Sequence, residues 1–181
     1  MENATAILLI LFCSLGVFDG LYFHIYKYRL HEHPSSRREH QIHTLRAFVF
    51  VPLSILLFVV PSGGYLLYGA IALVLLDLAL ELTDILEERV SRKPLGGISS
   101  EESAIHVFAS SFKFAAVVLV LVTKDSQAFS LDSPLVHGEV SFSVLPIIGA
   151  LFAGGCLVGG LYSVAIEHRN GLYLVSGKRS S

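Results

Sequence analysis

Histidine, aspartate and glutamate are unevenly spread along this chain of 181 residues. Of its eight histidines, His24, His31, His33, His40 and His43 fall in one short stretch, and His106 stands on a later apolar segment. Asp77, Glu81, Asp84 and Glu88 are spaced 4, 3 and 4 residues apart, which puts four carboxylates on one stripe of a helix. Glu102 and His106 are one helical turn apart, and Lys113 follows on nearly the same face. His40 and His43 form an i, i+3 pair, and Glu39 shares a face with His43 and Arg46. Asp19 shares a stripe with Tyr22 and Tyr26, whereas ideal α-helix geometry turns His24 about 140° away from it.

Carboxylates and imidazoles facing one another across helices are the donor set of metal sites in helix bundles, including the ferritin-like di-iron proteins. That mixture suits iron, zinc or manganese. The expected ligands are His40, His43, Glu81, Asp84, Glu102 and His106, with His24 and Asp19 next in order. The competing explanation is a hydrated rim whose long charged side chains reach lipid headgroups. Asp77 and Glu81 lie too deep for a simple rim, and carboxylates inside a membrane point to function. Asp77, Lys113 and Asp19 define a deeper layer. It is either a buried ion pair, Lys113 with Asp77 or Asp19, or part of a proton or cation path. Tyr22 and Tyr26 are donors beside the ligands or interfacial anchors. His31 and His33 flank a turn before Pro34 and read as exposed, as do His137 and His168.

These residues need elements to position them, and the composition says which. Hydrophobic residues make up 53% and charged residues 15%, against about 25% charged in a soluble domain. Mean hydropathy is +0.65. The fold class expected is an all-α integral membrane protein, a bundle of five transmembrane helices in a single membrane domain. The spans are placed near 5–28, 36–60, 64–90, 100–123 and 141–166, each close to the roughly 20 apolar residues that a bilayer crossing needs. A net charge of −2 argues against a nucleic-acid partner. The first segment lacks a basic leader, carries Glu2, and reads as a retained span rather than a cleavable signal.

Basic residues collect in alternate loops: Lys27, Arg29, Arg37 and Arg38, then Arg46; Arg89, Arg92 and Lys93; and Arg169, Lys178 and Arg179 in the tail. The positive-inside rule then puts the N-terminus outside and the C-terminus in the cytoplasm. With that topology His24, His43, Glu81, Asp84 and His106 lie about 6–11 Å from the cytoplasmic face. Pro34-Ser35-Ser36 and Ser99-Ser100-Glu101-Glu102 are expected helix starts, and Pro52 an expected kink. Gly155 and Gly159 form a GxxxG pattern for helix packing, within the bundle or between two copies of the chain. Cys13 and Cys156 sit in apolar runs and read as buried hydrophobes.

The helical, histidine-rich chemistry resembles that of membrane di-iron hydroxylases and desaturases. The likeness rests on His40-Gln41-Ile42-His43, since the repeated histidine boxes of those families are absent. The phrase Gly16-Val17-Phe18-Asp19-Gly20-Leu21 resembles the first span of vacuolar iron transporter-like proteins. The first implies an enzyme, the second a metal-ion carrier. The leading expectation is a membrane-embedded metal-dependent enzyme holding iron or zinc at the cytoplasmic end of spans one to four. Iron would serve oxidation of a lipid or other apolar substrate, zinc a hydrolysis. A metal-ion or proton transporter and a non-catalytic assembly or interaction protein are the alternatives. No nucleotide-binding loop is present, so a reductant would come from a partner. The expected location is a bacterial inner membrane.

Overall fold

A computed structural model describes residues 1–137, 139 and 143–177, the last eight by backbone alone. The described residues are all-helical apart from turns and one isolated bridge, Ser62 with Val136. Helix α1 runs Glu2–Phe18 and continues as a π-helix over Asp19–Lys27; α2 runs Arg37–Ser54 and continues as a π-helix over Ile55–Val59. Helix α3 is Gly64–Ser91, α4 is Ser100–Thr123 and α5 is Val144–Gly177. Five helical stretches, Glu2–Lys27, Pro34–Val59, Gly64–Ser91, Ser100–Thr123 and Val144–Arg169, are long and apolar enough to cross a membrane. The start expected for the last span, at 141, and the tail residues Lys178 and Arg179 lie outside the described residues.

The helices are ordered α3, α2, α5, α1, α4 by their backbone contacts. No Cα of α3 comes within 8 Å of a Cα of α4. Polar side chains join these two helices instead. The apolar core fills the other half of the bundle, where Leu9, Phe50, Leu53, Leu57, Phe58 and Val117 pack together. Leu75, Leu86, Val107, Val122, Leu151 and Val158 point outward and are each at least 60% exposed. Apolar outside and ionic inside is the pattern expected where lipid is the solvent.

Local chemistry explains the helix ends. Ser99 caps α4, its hydroxyl accepting from the Glu102 amide at 3.3 Å, as the sequence suggested. Ser36 precedes α2 but makes no cap bond; a 3-10 turn over Pro34–Ser36 leads the chain in instead. The helix runs on past Pro52 and shifts to i→i+5 bonding at Ile55, one way to accommodate the missing proline amide. Gly64 has φ +51°, and a Cβ there would lie 2.6 Å from the Ser133 carbonyl, because the 131–137 loop folds over the α2–α3 turn. The Gly63 amide donates to Leu135 and the His137 amide to Pro61 in that contact. Lys124 donates to the Ser62 carbonyl at 3.0 Å, and burial lowers its pKa.

Helix α5 separates two kinds of glycine. At Gly149 an added Cβ would sit 2.7 Å from Phe58 Cβ, and Ser54 donates to the Gly149 carbonyl at 2.8 Å. Gly155 and Gly159 have no atoms near the position a Cβ would take, so the GxxxG pair does not pack within the bundle. Gly149→Ala is therefore expected to cost about 1–3 kcal/mol through overpacking. Gly155→Ala is expected to be neutral or to stabilise by up to about 1 kcal/mol in the monomer. Denaturant titration in mild detergent checks both; equal effects would overturn the assignment of the packing face.

Candidate metal centre

Histidines and carboxylates converge where the basic loops gather, at the end of the bundle formed by the C-terminal ends of α1 and α3 and the N-terminal ends of α2 and α4. Two sets of four donors have their ligand atoms within 4.8 Å of one another. The first is Asp19, His24, Glu102 and His106; the second is His24, Glu39, His43 and Glu88. They share His24.

The π-helix makes this sharing geometrically available. In i→i+5 bonding, residues five apart become near neighbours along the helix. His24 Nε2 accordingly lies 3.3 Å from Asp19 Oδ2, where an ideal α-helix would have turned them apart. The His24 and His43 rings then meet edge to face, with centroids 4.4 Å apart. Asp19 thus joins the shallow cluster, not the deep layer with Lys113.

His106 is held from both sides. Its Nε2 lies 3.1 Å from Asp19 Oδ1 and its Nδ1 3.4 Å from Glu88 Oε2. Arg92 is fully buried and binds the two donor sets to one frame. Its Nη2 donates to Glu39 Oε1 at 2.8 Å and lies 2.8 Å from Glu102 Oε1, and its guanidinium carbon sits 4.7 Å from the Tyr28 ring centroid. Ser91 donates to Glu39 as well. Glu102 Oε2, His24 Nε2 and His43 Nε2 are buried atoms without a hydrogen bond. Such atoms in a set of imidazoles and carboxylates fit a metal ion as the missing partner.

Of the ligands expected from sequence, the structure brings His24, His43, Glu102, His106 and Asp19 together. Asp84 lies at the edge of the group: its Oδ2 is 3.4 Å from His43 Nε2 and accepts from Arg46 Nη1 at 3.0 Å. Glu81 is engaged elsewhere, accepting from Lys113 and Ser110. His40 points to α5, its Nε2 2.8 Å from Ser163 Oγ, in a polar seam that also pairs Gln41 and Arg37 with Glu167. Glu39 and Glu88 are the donors the sequence reading omitted. The signal for Glu39 is Glu39-x-x-x-His43, which repeats the spacing of Glu102-x-x-x-His106, and that for Glu88 is its place on the α3 carboxylate stripe.

The deep layer is an ion-pair network. Lys113 Nζ donates to Asp77 Oδ2 at 2.6 Å and to Glu81, while Arg46 Nε donates to Asp77 Oδ1 at 3.2 Å. Lys113 pairs with Asp77 and not with Asp19. The Lys113 bonds, with Ser110 to Glu81 and His106 to Glu88, join α3 to α4. His31, expected as an exposed loop residue, has a side chain only 15% exposed. Its pKa is lowered by burial, against an opposing pull from Glu32.

Fold and site together define a protein of five membrane-length helices with a buried histidine–carboxylate cluster at one end. No protein-family model matches the chain, and neither a curated protein nor a solved structure is found to match it.

Proposed function

We propose that this protein is a membrane-embedded metal-dependent enzyme. Its centre would lie at the cytoplasmic end of a bundle with the N-terminus outside, in a bacterial inner membrane. The carrying observation is the set Asp19, His24, Glu102 and His106: four donor atoms within 4.8 Å, with Glu102 fully buried and its Oε2 without a hydrogen bond. Imidazole and carboxylate donors suit iron or zinc, and manganese as well. When bound, the ion would polarise an oxygen atom of substrate or water. Asp19 and Glu88 would orient His106, Arg92 would fix Glu102 and Glu39, and the apolar bundle around them would exclude water and admit an apolar or lipid substrate.

The same observation ranks the transporter reading second. From Ala4 to Phe18, Phe48 to Val60, Gly64 to Leu76, Phe114 to Thr123 and Val144 to Ile166 the sequence carries no Asp, Glu, Lys, Arg or His. The far half of the spans therefore offers no charged or imidazole side chain to carry an ion across. Metal content of the purified chain, measured by mass spectrometry after reconstitution, is expected to be stoichiometric. A Glu102→Gln/His106→Gln variant that keeps its circular dichroism spectrum is expected to lose that metal. No metal above background in the unmodified chain would overturn the proposal. Metal-ion flux in proteoliposomes would transfer the site to the transporter reading.

A further inference from the structure

The polar interior is out of charge balance. It contains seven buried carboxylates, from Asp19 to Glu102, and three permanent cations, Arg46, Arg92 and Lys113. The excess is four negative charges. In a low-dielectric bundle such an excess has to be met by protons or by cations. Of the imidazoles, only His106, between Asp19 and Glu88, is placed to carry one of these charges. His24 and His43 lie ring against ring at 4.4 Å, so imidazolium charges on both would repel.

We infer that the centre holds two divalent ions, one in the set Asp19, His24, Glu102 and His106 and the other in the set Glu39, His43 and Glu88, with His24 at the boundary and its Nε2 ligating one ion at a time. This rests on the reading of the bundle end as a metal centre. With His106 a neutral ligand, two divalent ions carry the four positive charges that the seven carboxylates lack beside Arg46, Arg92 and Lys113. The two sets are built alike. Helix α2 supplies Glu39 and His43, and α4 supplies Glu102 and His106, each a carboxylate followed by an imidazole four residues on. Helix α1 supplies the shared His24, which the π-helical turn carries to the boundary between the sets. Arg92, meeting Glu39 and Glu102 at 2.8 Å each, fixes the spacing of the two carboxylates across that boundary. In the second set the buried His43 Nε2 makes no hydrogen bond and lies 3.4 Å from Asp84 Oδ2, a carboxylate outside the set. That atom, which the first set does not share, is the sign that the second is a site of its own.

The test uses the full chain in mild detergent, reconstituted separately with Mn²⁺, Zn²⁺ and, without oxygen, Fe²⁺, then freed of loose metal by gel filtration. Bound metal per chain is read by mass spectrometry, and Mn²⁺ samples by paramagnetic resonance. The unmodified chain is expected to hold two ions and to show a spin-coupled Mn²⁺ signal. His43→Gln and His106→Gln are each expected to hold one and to show isolated Mn²⁺. His24→Gln is expected to bind its ions more weakly than the unmodified chain. One ion in the unmodified chain, with His43→Gln unchanged, would overturn the two-ion inference and leave the single-site reading standing. No ion in the unmodified chain would overturn both. If His24→Gln fails to fold, the His43 and His106 variants still decide between one ion and two.

Discussion

Replacing Lys113 with methionine is expected to destabilise the bundle by about 3–5 kcal/mol, because removing one partner of a buried pair leaves the other charge uncompensated. Lys113 Nζ is the permanent cation that α4 contributes to the α3 carboxylates, and its side chain is 5% exposed. Arg46 still contacts Asp77 and Glu81, at 3.2 Å and 3.6 Å, so the loss belongs toward the lower end of that range. The position of the pair makes the effect large. Helices α3 and α4 have no close backbone approach, and Lys113 spans the seam between them. Methionine fills similar volume, so cavity formation contributes little. The double variant Lys113→Met/Glu81→Gln removes one charge of each sign and is expected to recover about 1–3 kcal/mol relative to additivity. Denaturant titrations of the two single variants and the double variant, followed by circular dichroism, give the coupling. A coupling near zero would show that the pair is incidental to the seam.

That seam also shows how far the sequence could be read. The 4-3-4 spacing of Asp77, Glu81, Asp84 and Glu88 promised one inward stripe, and all four carboxylates are buried on α3. The Glu102 and His106 pair faces the same interior. Span lengths were legible because hydropathy alone sets them. What failed was rotation. His40 and His43 are neighbours on an ideal wheel, yet one meets Ser163 of α5 and the other His24 of α1. The angular offset of an i, i+3 pair is enough to send two side chains to different neighbours, and only packing decides which.

Two further misses have a common origin in ideal geometry. His24 was turned away from Asp19 by assuming 3.6 residues per turn, and nothing in Asp19–Lys27 announces i→i+5 bonding except Gly20, a weak helix former. Arg92 was counted among loop charges that set orientation. It instead folds under the end of α3 into a carboxylate pocket, because Lys93-Pro94-Leu95 turns the chain back at that point. A rule that counts charges by loop has no term for a guanidinium drawn inside by two carboxylates.

Arg92 carries the other large expectation. Arg92→Lys is expected to lower metal affinity by about 10–100-fold, as loss of a group that orients metal ligands does. Lysine keeps the charge but has a single ammonium and no planar fork. It cannot reproduce Nε and Nη2 contacts to Glu39 together with the 2.8 Å approach to Glu102, nor the guanidinium face against Tyr28. Glu39 and Glu102 would then lose their common anchor while the net charge of the cluster stays the same. Arg92→Ala also removes that charge and leaves buried carboxylates unmatched, so it is expected to cost about 3–5 kcal/mol of stability. The lysine variant separates positioning from simple support. Metal affinity is measured on the folded fraction, by competition with a chelator of known strength, and stability by denaturant titration. Reduced stability with unchanged affinity would make Arg92 a structural counter-ion only. Reduced affinity in a chain that still folds would place it as the residue that holds the two carboxylates in register for metal.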